Sequence, residues 1–319
     1  MQVSNLVTRN AGHSNAGRKQ DLGALTRSIS RDASRGDRAV IAGYNPDGNQ
    51  MTYYSIGTLG NSIDFGDMFH ANSSNGPVAG HGRGLYCGGG STDTSNIVQY
   101  ISIGQRGNSH DFGELAPNEP AMNAQVPLSD GNRYVLAGGG NTPAEVMFGN
   151  IMTKGNAVDW GANVNHGGRN GQQGNMCNGH RGLVTTRYPT PDAVDYLTIG
   201  IAGTATDWGE CQVGGGRHSS FVGGNGHRAV QGMGRTPPES LVNTIESWSF
   251  TTGGNSVDFG EAFETTNYNA GTDDGNRIVI NGGGSTNSKH YLNIGVFSNS
   301  VDYGEEALHT STYGRALSG

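Results

Sequence analysis

A three-residue word, aspartate–aromatic–glycine, recurs through the chain at nearly even spacing. It reads Asp64-Phe65-Gly66, Asp111-Phe112-Gly113, Asp159-Trp160-Gly161, Asp207-Trp208-Gly209, Asp258-Phe259-Gly260 and Asp302-Tyr303-Gly304. Successive aspartates are 47, 48, 48, 51 and 44 residues apart. A period of roughly 40–50 residues narrows the possible folds sharply. Each unit is one supersecondary element that cannot bury its apolar face alone, so neighbours stack as blades of a ring or coils of a solenoid.

A second landmark keeps the same period. An arginine opens a short apolar run that often ends in glycine, at Arg38, Arg83, Arg133, Arg181, Arg228, Arg277 and, near the C-terminus, Arg315. The steps are 45, 50, 48, 47, 49 and 38. The two landmarks alternate and define six complete units. The leftovers are complementary: Arg315 has no aspartate word after it, and Asp21-Leu22-Gly23 has no arginine run before it. Joined, they predict a seventh unit made by both chain ends. A ring closed in this way hides the sheet edges that an open stack would expose. Six blades plus an N-terminal arm is the alternative.

Within a unit the pattern is that of short strands. Residues 83–87 form an apolar run broken by three glycines. Residues 96–103 alternate in part and are β-rich, 104–108 read as a turn, and 109–112 as a second strand ending at Gly113. A weaker strand is placed in the variable stretch before each arginine, as in 70–82 and 162–180. Four strands in about 46 residues make one propeller blade. Glycine, at 55 of 319 residues, supplies the many tight turns that this needs. The expectation is an all-β chain whose residues 1–319 form one propeller domain, without helices.

Charge and composition exclude several classes of function. The net charge is −7 and no basic run occurs, so no nucleic-acid partner is expected. No run of 18 apolar residues is present, and the first 30 residues lack the apolar core of a secretory signal, so no membrane insertion is expected. Cys87, Cys177 and Cys211 are widely spaced and read as buried small residues, not as a disulfide framework. Ten histidines lack metal-ligand spacing; His81, His180 and His227 share a position before blade arginines and read as loop residues. The letters Asp-Phe-Gly occur in kinases, but no glycine-rich loop with lysine accompanies them here. Ser109-His110-Asp111 names a hydrolase triad, but consecutive strand residues point to opposite faces and cannot form the relay.

Most conspicuous residues are therefore expected to be architectural. The aromatics Phe65, Phe112, Trp160, Trp208, Phe259 and Tyr303 pack between neighbouring sheets, and the glycines let the chain turn. Asp64, Asp111, Asp159, Asp207, Asp258 and Asp302 accept turn N–H groups or pair with blade arginines. Binding is expected in the variable loops, with Tyr44, His70, His166, Arg169, His218 and Tyr268 as candidates. No catalytic, cofactor or metal residue is read from the sequence.

The word Asp111-Phe112-Gly113-Glu114-Leu115, the Gly107-Asn108 before it, Ile103-Gly104, and the run from Arg83 to Gly90 together resemble kelch-like propeller proteins of tailed-phage virions. The resemblance covers about residues 36–319. Arg181, which lacks a following glycine triplet, and the irregular unit at 203–235 depart from it. The resemblance implies a seven-bladed kelch-like propeller in a virion, as an accessory, decoration or fibre-associated subunit. Its partners would be other virion proteins and a host-surface receptor or glycan. A propeller enzyme acting on glycans and a cytoplasmic kelch-type scaffold are the alternatives.

Overall fold

The fold is seen in a computed structural model described over residues 35–43, 48–90, 96–116, 124–139, 145–161, 174–185, 192–212, 217–236, 240–284, 286–306 and 314–319. Six antiparallel sheets follow one another around a ring, and no helix occurs among the described residues. Each full blade runs from an inner strand through an arginine strand and a third strand to an outer strand. Blade 2, for example, comprises Gly76–Gly80, Arg83–Cys87, Ile97–Ser102 and His110–Glu114. Blades 3, 5 and 6 repeat that order. Blade 4 keeps three strands, with its inner segment held by a single bridge from Cys177 to Gly182.

Blade 1 closes the ring. Its arginine strand Arg38–Ala42 pairs with Gln50–Ser55 on one side and with the C-terminal strand Arg315–Ser318 on the other. The chain's last strand and its first described strand thus share one blade, as expected. There are six blades, not seven, and this corrects the reading of Arg315. In register, Arg315 lies opposite Ala42, so it opens the inner strand of blade 1 and not the arginine strand of a further blade. Without that strand, blade 1 would present an unpaired edge to the axis. The Asp21-Leu22-Gly23 word lies outside the described residues.

The repeated words explain the stacking. Six apolar clusters each span two neighbouring blades, and the motif aromatics sit in them. Phe65 packs with Met51 of its own blade and with Tyr86 and Ile101 of the next, while Tyr303 of blade 6 packs with Ile41 and Ile56 of blade 1. In every blade but the fifth the ring meets an aromatic of the third strand near edge-on, as in Tyr53–Phe65 at 5.8 Å, Phe148–Trp160 at 5.4 Å and Tyr196–Trp208 at 5.4 Å. Blade 5 has Ser247 at that position, and Phe297 of blade 6 fills the space, 5.2 Å from Phe259.

The arginines act across the same seams. Arg38, Arg83, Arg133, Arg181, Arg228 and Arg277 lie over aromatic rings, with guanidinium carbons 4.3–5.1 Å from the nearest ring centroid. The Nη1 atoms of Arg38, Arg83, Arg133, Arg228 and Arg277 donate to carbonyls of the next blade. Examples are Arg83 to Met152 at 2.8 Å and Arg277 to Ile56 at 3.0 Å, the latter joining blade 6 to blade 1. The motif aspartates stand exposed on the outer strands. Among the described residues the ion pair they make is Asp64–Arg106 at 3.3 Å, and Arg106 is not a blade arginine. Asp159 alone shows the expected turn bond, accepting the Gly161 N–H.

At Gly66, Gly113, Gly209, Gly260 and Gly304 the motif glycine serves an approach; Gly161, with nothing within 4 Å of its would-be Cβ, serves a turn. Gly113 has φ +151° at a bulge in the outer strand, and a Cβ there would meet the Gly155 carbonyl carbon of blade 3 at 2.7 Å. One residue on, the Glu114 N–H donates to Asn156 Oδ1 of the next blade at 3.0 Å. The same bond recurs from Asp67 to Asn108, Glu210 to Asn255, Glu261 to Asn299 and Glu305 to Asn61. The seam between blades 3 and 4 has Thr204 at the asparagine's place, and there the Trp160 indole donates to the Gly203 carbonyl at 2.9 Å.

All three cysteines are free and buried, and burial pushes the Cys87 and Cys211 thiols well up. Thiol alkylation of the folded protein is expected to label none of them, and to label all three in denaturant. Labelling of Cys87 at native pH without loss of structure would contradict this packing.

Candidate binding face

Antiparallel strand order sorts the connections onto two unlike ends of the ring. One end carries the inner-to-arginine turns and the third-to-outer turns. These are short and alike. Asp130, Asn178, Asn225 and Asp274 each accept two backbone N–H groups from the residues leading into Arg133, Arg181, Arg228 and Arg277. The opposite end receives the arginine-to-third loops and the blade-to-blade connections, which differ in length and composition from unit to unit. His70, His218 and Tyr268 belong to those connections.

The structure places three of them. His70 is exposed, and its backbone N–H and carbonyl clasp the Gln99 amide at 3.1 and 2.8 Å, which anchors the loop under its side chain. His218 is instead buried, its Nδ1 3.0 Å from Ser219 Oγ and its backbone bridged to Arg235 in an extra hairpin formed by Arg235–Thr236 and Ser240–Leu241. Tyr268 adopts φ +61°, and its N–H donates to the Ser219 carbonyl at 2.8 Å, so blades 5 and 6 bring His218 and Tyr268 together. Tyr44, His166 and Arg169 lie outside the described residues.

Glu264, earlier in the same connection as Tyr268, anchors a constellation that the sequence reading missed. Three donors converge on Glu264 Oε1: His290 Nε2 at 2.8 Å, Thr286 Oγ1 at 3.4 Å and Ser288 Oγ. A carboxylate accepts only, so the imidazole carries its proton on Nε2. Phe263 meets the His290 ring edge-on at 5.4 Å while remaining 68% exposed. The carboxylate is thus fixed on one oxygen and can accept further bonds on the other, next to an open aromatic face. Comparing units was the available signal. At the ladder position of His290 the other blades place Thr52, Gln99, Met147, Asp195 and Glu246. Phe69, 64% exposed, is the counterpart of Phe263 in blade 1.

An ion pair lies among the inner strands. Arg35 Nε lies 2.6 Å from Asp273 Oδ1, both side chains nearly fully buried, and Arg35 Nη2 donates to the Cys177 carbonyl at 2.6 Å. The cavity beside them, lined among others by Val78, Asn175, Thr272 and Leu317, measures about 20 Å³, room for about one water molecule. Among the described residues no group of three histidine, cysteine or carboxylate side chains is placed to hold a metal, and no helix is long and apolar enough to cross a membrane.

Fold and face define the chain as a six-bladed β-propeller with one uniform end and one variable end. No family model and no curated protein matches it.

Proposed function

We propose that the protein is a non-catalytic binding subunit of a phage particle, an accessory, decoration or fibre-associated propeller of kelch-like type. It contacts other virion proteins and a host-surface receptor or glycan through the variable end of the ring. The observation that carries this reading is the division of labour between the two ends. Bonds that hold the ring recur at the uniform end and the seams, which leaves the loops of the other end free to differ. The resemblance of the repeat word to phage propellers supplies the setting. The buried Arg35–Asp273 pair among the inner strands, with room for about one water beside it, supports binding at the surface over chemistry in a central depression.

An exposed aromatic ring beside an oriented carboxylate suits the apolar face and hydroxyls of a sugar. Phe263→Ala is expected to weaken binding to host-surface glycan by at least about tenfold with the melting temperature unchanged. Mass spectrometry of purified particles tests the setting: the protein should be present in fixed copy number, and its absence would end the virion reading. The second reading, a glycan-acting enzyme, is favoured by one observation, the partly exposed Glu264 carboxylate paired with the buried His290. Release of new reducing ends from host polysaccharide would establish it in place of the first.

A further inference from the structure

The seam between blades 6 and 1 differs chemically from the others. Opposite the motif glycine, the third strand places Met51, Val98, Val194 and Ile245 in blades 1, 2, 4 and 5, but Lys289 in blade 6. Two residues past that glycine the same blades carry Met68, Leu115, Cys211 and Ala262, but Glu306 in blade 6. An apolar pair has become an amine and a carboxylate, both fully buried.

The third member is Asn281, which lies directly across the ladder from Lys289. Cross-strand partners share one face with Cβ atoms about 4.5–5.5 Å apart, within reach of a lysine side chain. Asn281 is fully buried; its Nδ2 donates to the Ala270 carbonyl at 3.0 Å and its Oδ1 has no hydrogen-bond partner. Blade 1 roofs the group. Tyr54 places its ring centroid 4.3 Å from Lys289 Nζ and its hydroxyl beside Asn281, and Ser62 donates to Glu306. Lys289 Nζ stands 3.6 Å from Glu306 Oε2, too far for a good hydrogen bond, so the buried ammonium is poorly compensated. Burial lowers Lys289 to about 8, against the opposing pull of Glu306.

We propose that Lys289 and Asn281 are joined by an isopeptide bond, with Glu306 relaying the protons. The carboxylate takes a proton from the ammonium and frees the amine lone pair. Nζ attacks Asn281 Cγ, and the C–N bond to the carboxamide nitrogen breaks. Glu306 carries protons from the attacking to the departing nitrogen. The side-chain amide keeps one hydrogen on Nζ, the other two leave on ammonium, and Glu306 returns to the carboxylate. No oxidant or reductant is needed. The product replaces a dry ammonium by a neutral amide and staples the arginine strand of blade 6 to its third strand.

The intact mass of the folded full-length protein should fall short of its sequence by one ammonia, and trypsin should fail to cut after Lys289. Lys289→Met and Glu306→Gln should restore the full mass, and Asn281→Asp should convert the deficit to one water. A wild-type protein of full mass, cleaved after Lys289 once unfolded, would overturn the proposal whether or not the variants fold. A wild-type deficit of one water would assign the acyl group to Glu306 and overturn the role of Asn281. A deficit that persists in Glu306→Gln would overturn the role of the carboxylate.

Discussion

Replacing Gly80 with valine is expected to abolish the folded ring, or to leave a product destabilised by on the order of 3 kcal/mol or more. Gly80 lies in the inner strand of blade 2, and its α-carbon faces the turn of blade 3. A Cβ there would stand 2.6 Å from the Gly131 carbonyl carbon and closer still to its oxygen. Both obstacles are backbone, so no rotamer change relieves the overlap, and the inner strands would have to move apart. Gly271 of blade 6 against Val222 of blade 5 makes the same kind of approach. Six blades fit around this axis because glycine lets the inner strands come within backbone contact. Gly104→Ala is the matched control: nothing lies within 4 Å of its would-be Cβ, and stability should stay within about 0.5 kcal/mol. Thermal unfolding of both variants checks the pair. A Gly80→Val protein melting with the wild type would mean that the ring is not closed at its inner strands.

Most of the ring was legible because its causes repeat. The aspartate word marks the outer strand, and the arginine marks the second. The weaker strand placed before each arginine is the inner strand at Gly76–Gly80, Val126–Ser129, Phe221–Gly224 and Ala270–Asp273. The count of blades went astray at Arg315, where Arg-Ala-Leu-Ser-Gly imitates the arginine word. The 38-residue step to it, well short of the other intervals, was the available sign that a different strand of the blade had been reached. In register Arg315 occupies the place of Gly76, Val126, Phe221 and Ala270, the residue that opens each inner strand, and its Nε donates to the Asn75 carbonyl. The motif aspartates were misread for a related reason. A recurring acid and a recurring base suggest a pair, yet the acids face water while the bases take rings and carbonyls across the seam. The Glu264–His290 constellation and the Lys289–Glu306 substitution are single departures from the repeat. Period-reading discards such departures as noise, and only the ladder register shows that each stands where its neighbours are different in kind.

The seam between blades 4 and 5 yields the other large effect. Arg217 and Glu246 form an ion pair at 3.0 Å with both side chains fully buried; Arg217 Nη1 also donates to the Thr244 carbonyl at 2.7 Å, and Ser256 Oγ to Glu246 Oε2 at 2.6 Å. Removing one partner strands a charge in a place that water does not reach. Glu246→Ala is therefore expected to cost about 3–5 kcal/mol, read as a fall in the denaturant midpoint with the slope retained. Removing both is a different matter. Blade 3 holds Met147 at the ladder position of Glu246, which shows that the ring geometry accepts an apolar side chain there. Arg217→Met combined with Glu246→Leu eliminates two desolvated charges and fills the seam with carbon, so the double variant should recover most of the loss and can match the wild type. Strong non-additivity is the signature to look for, because two independent contacts would give a double variant worse than either single one. If Glu246→Ala alone costs under about 1 kcal/mol, the carboxylate is reached by water and the pair contributes no more than a surface ion pair does.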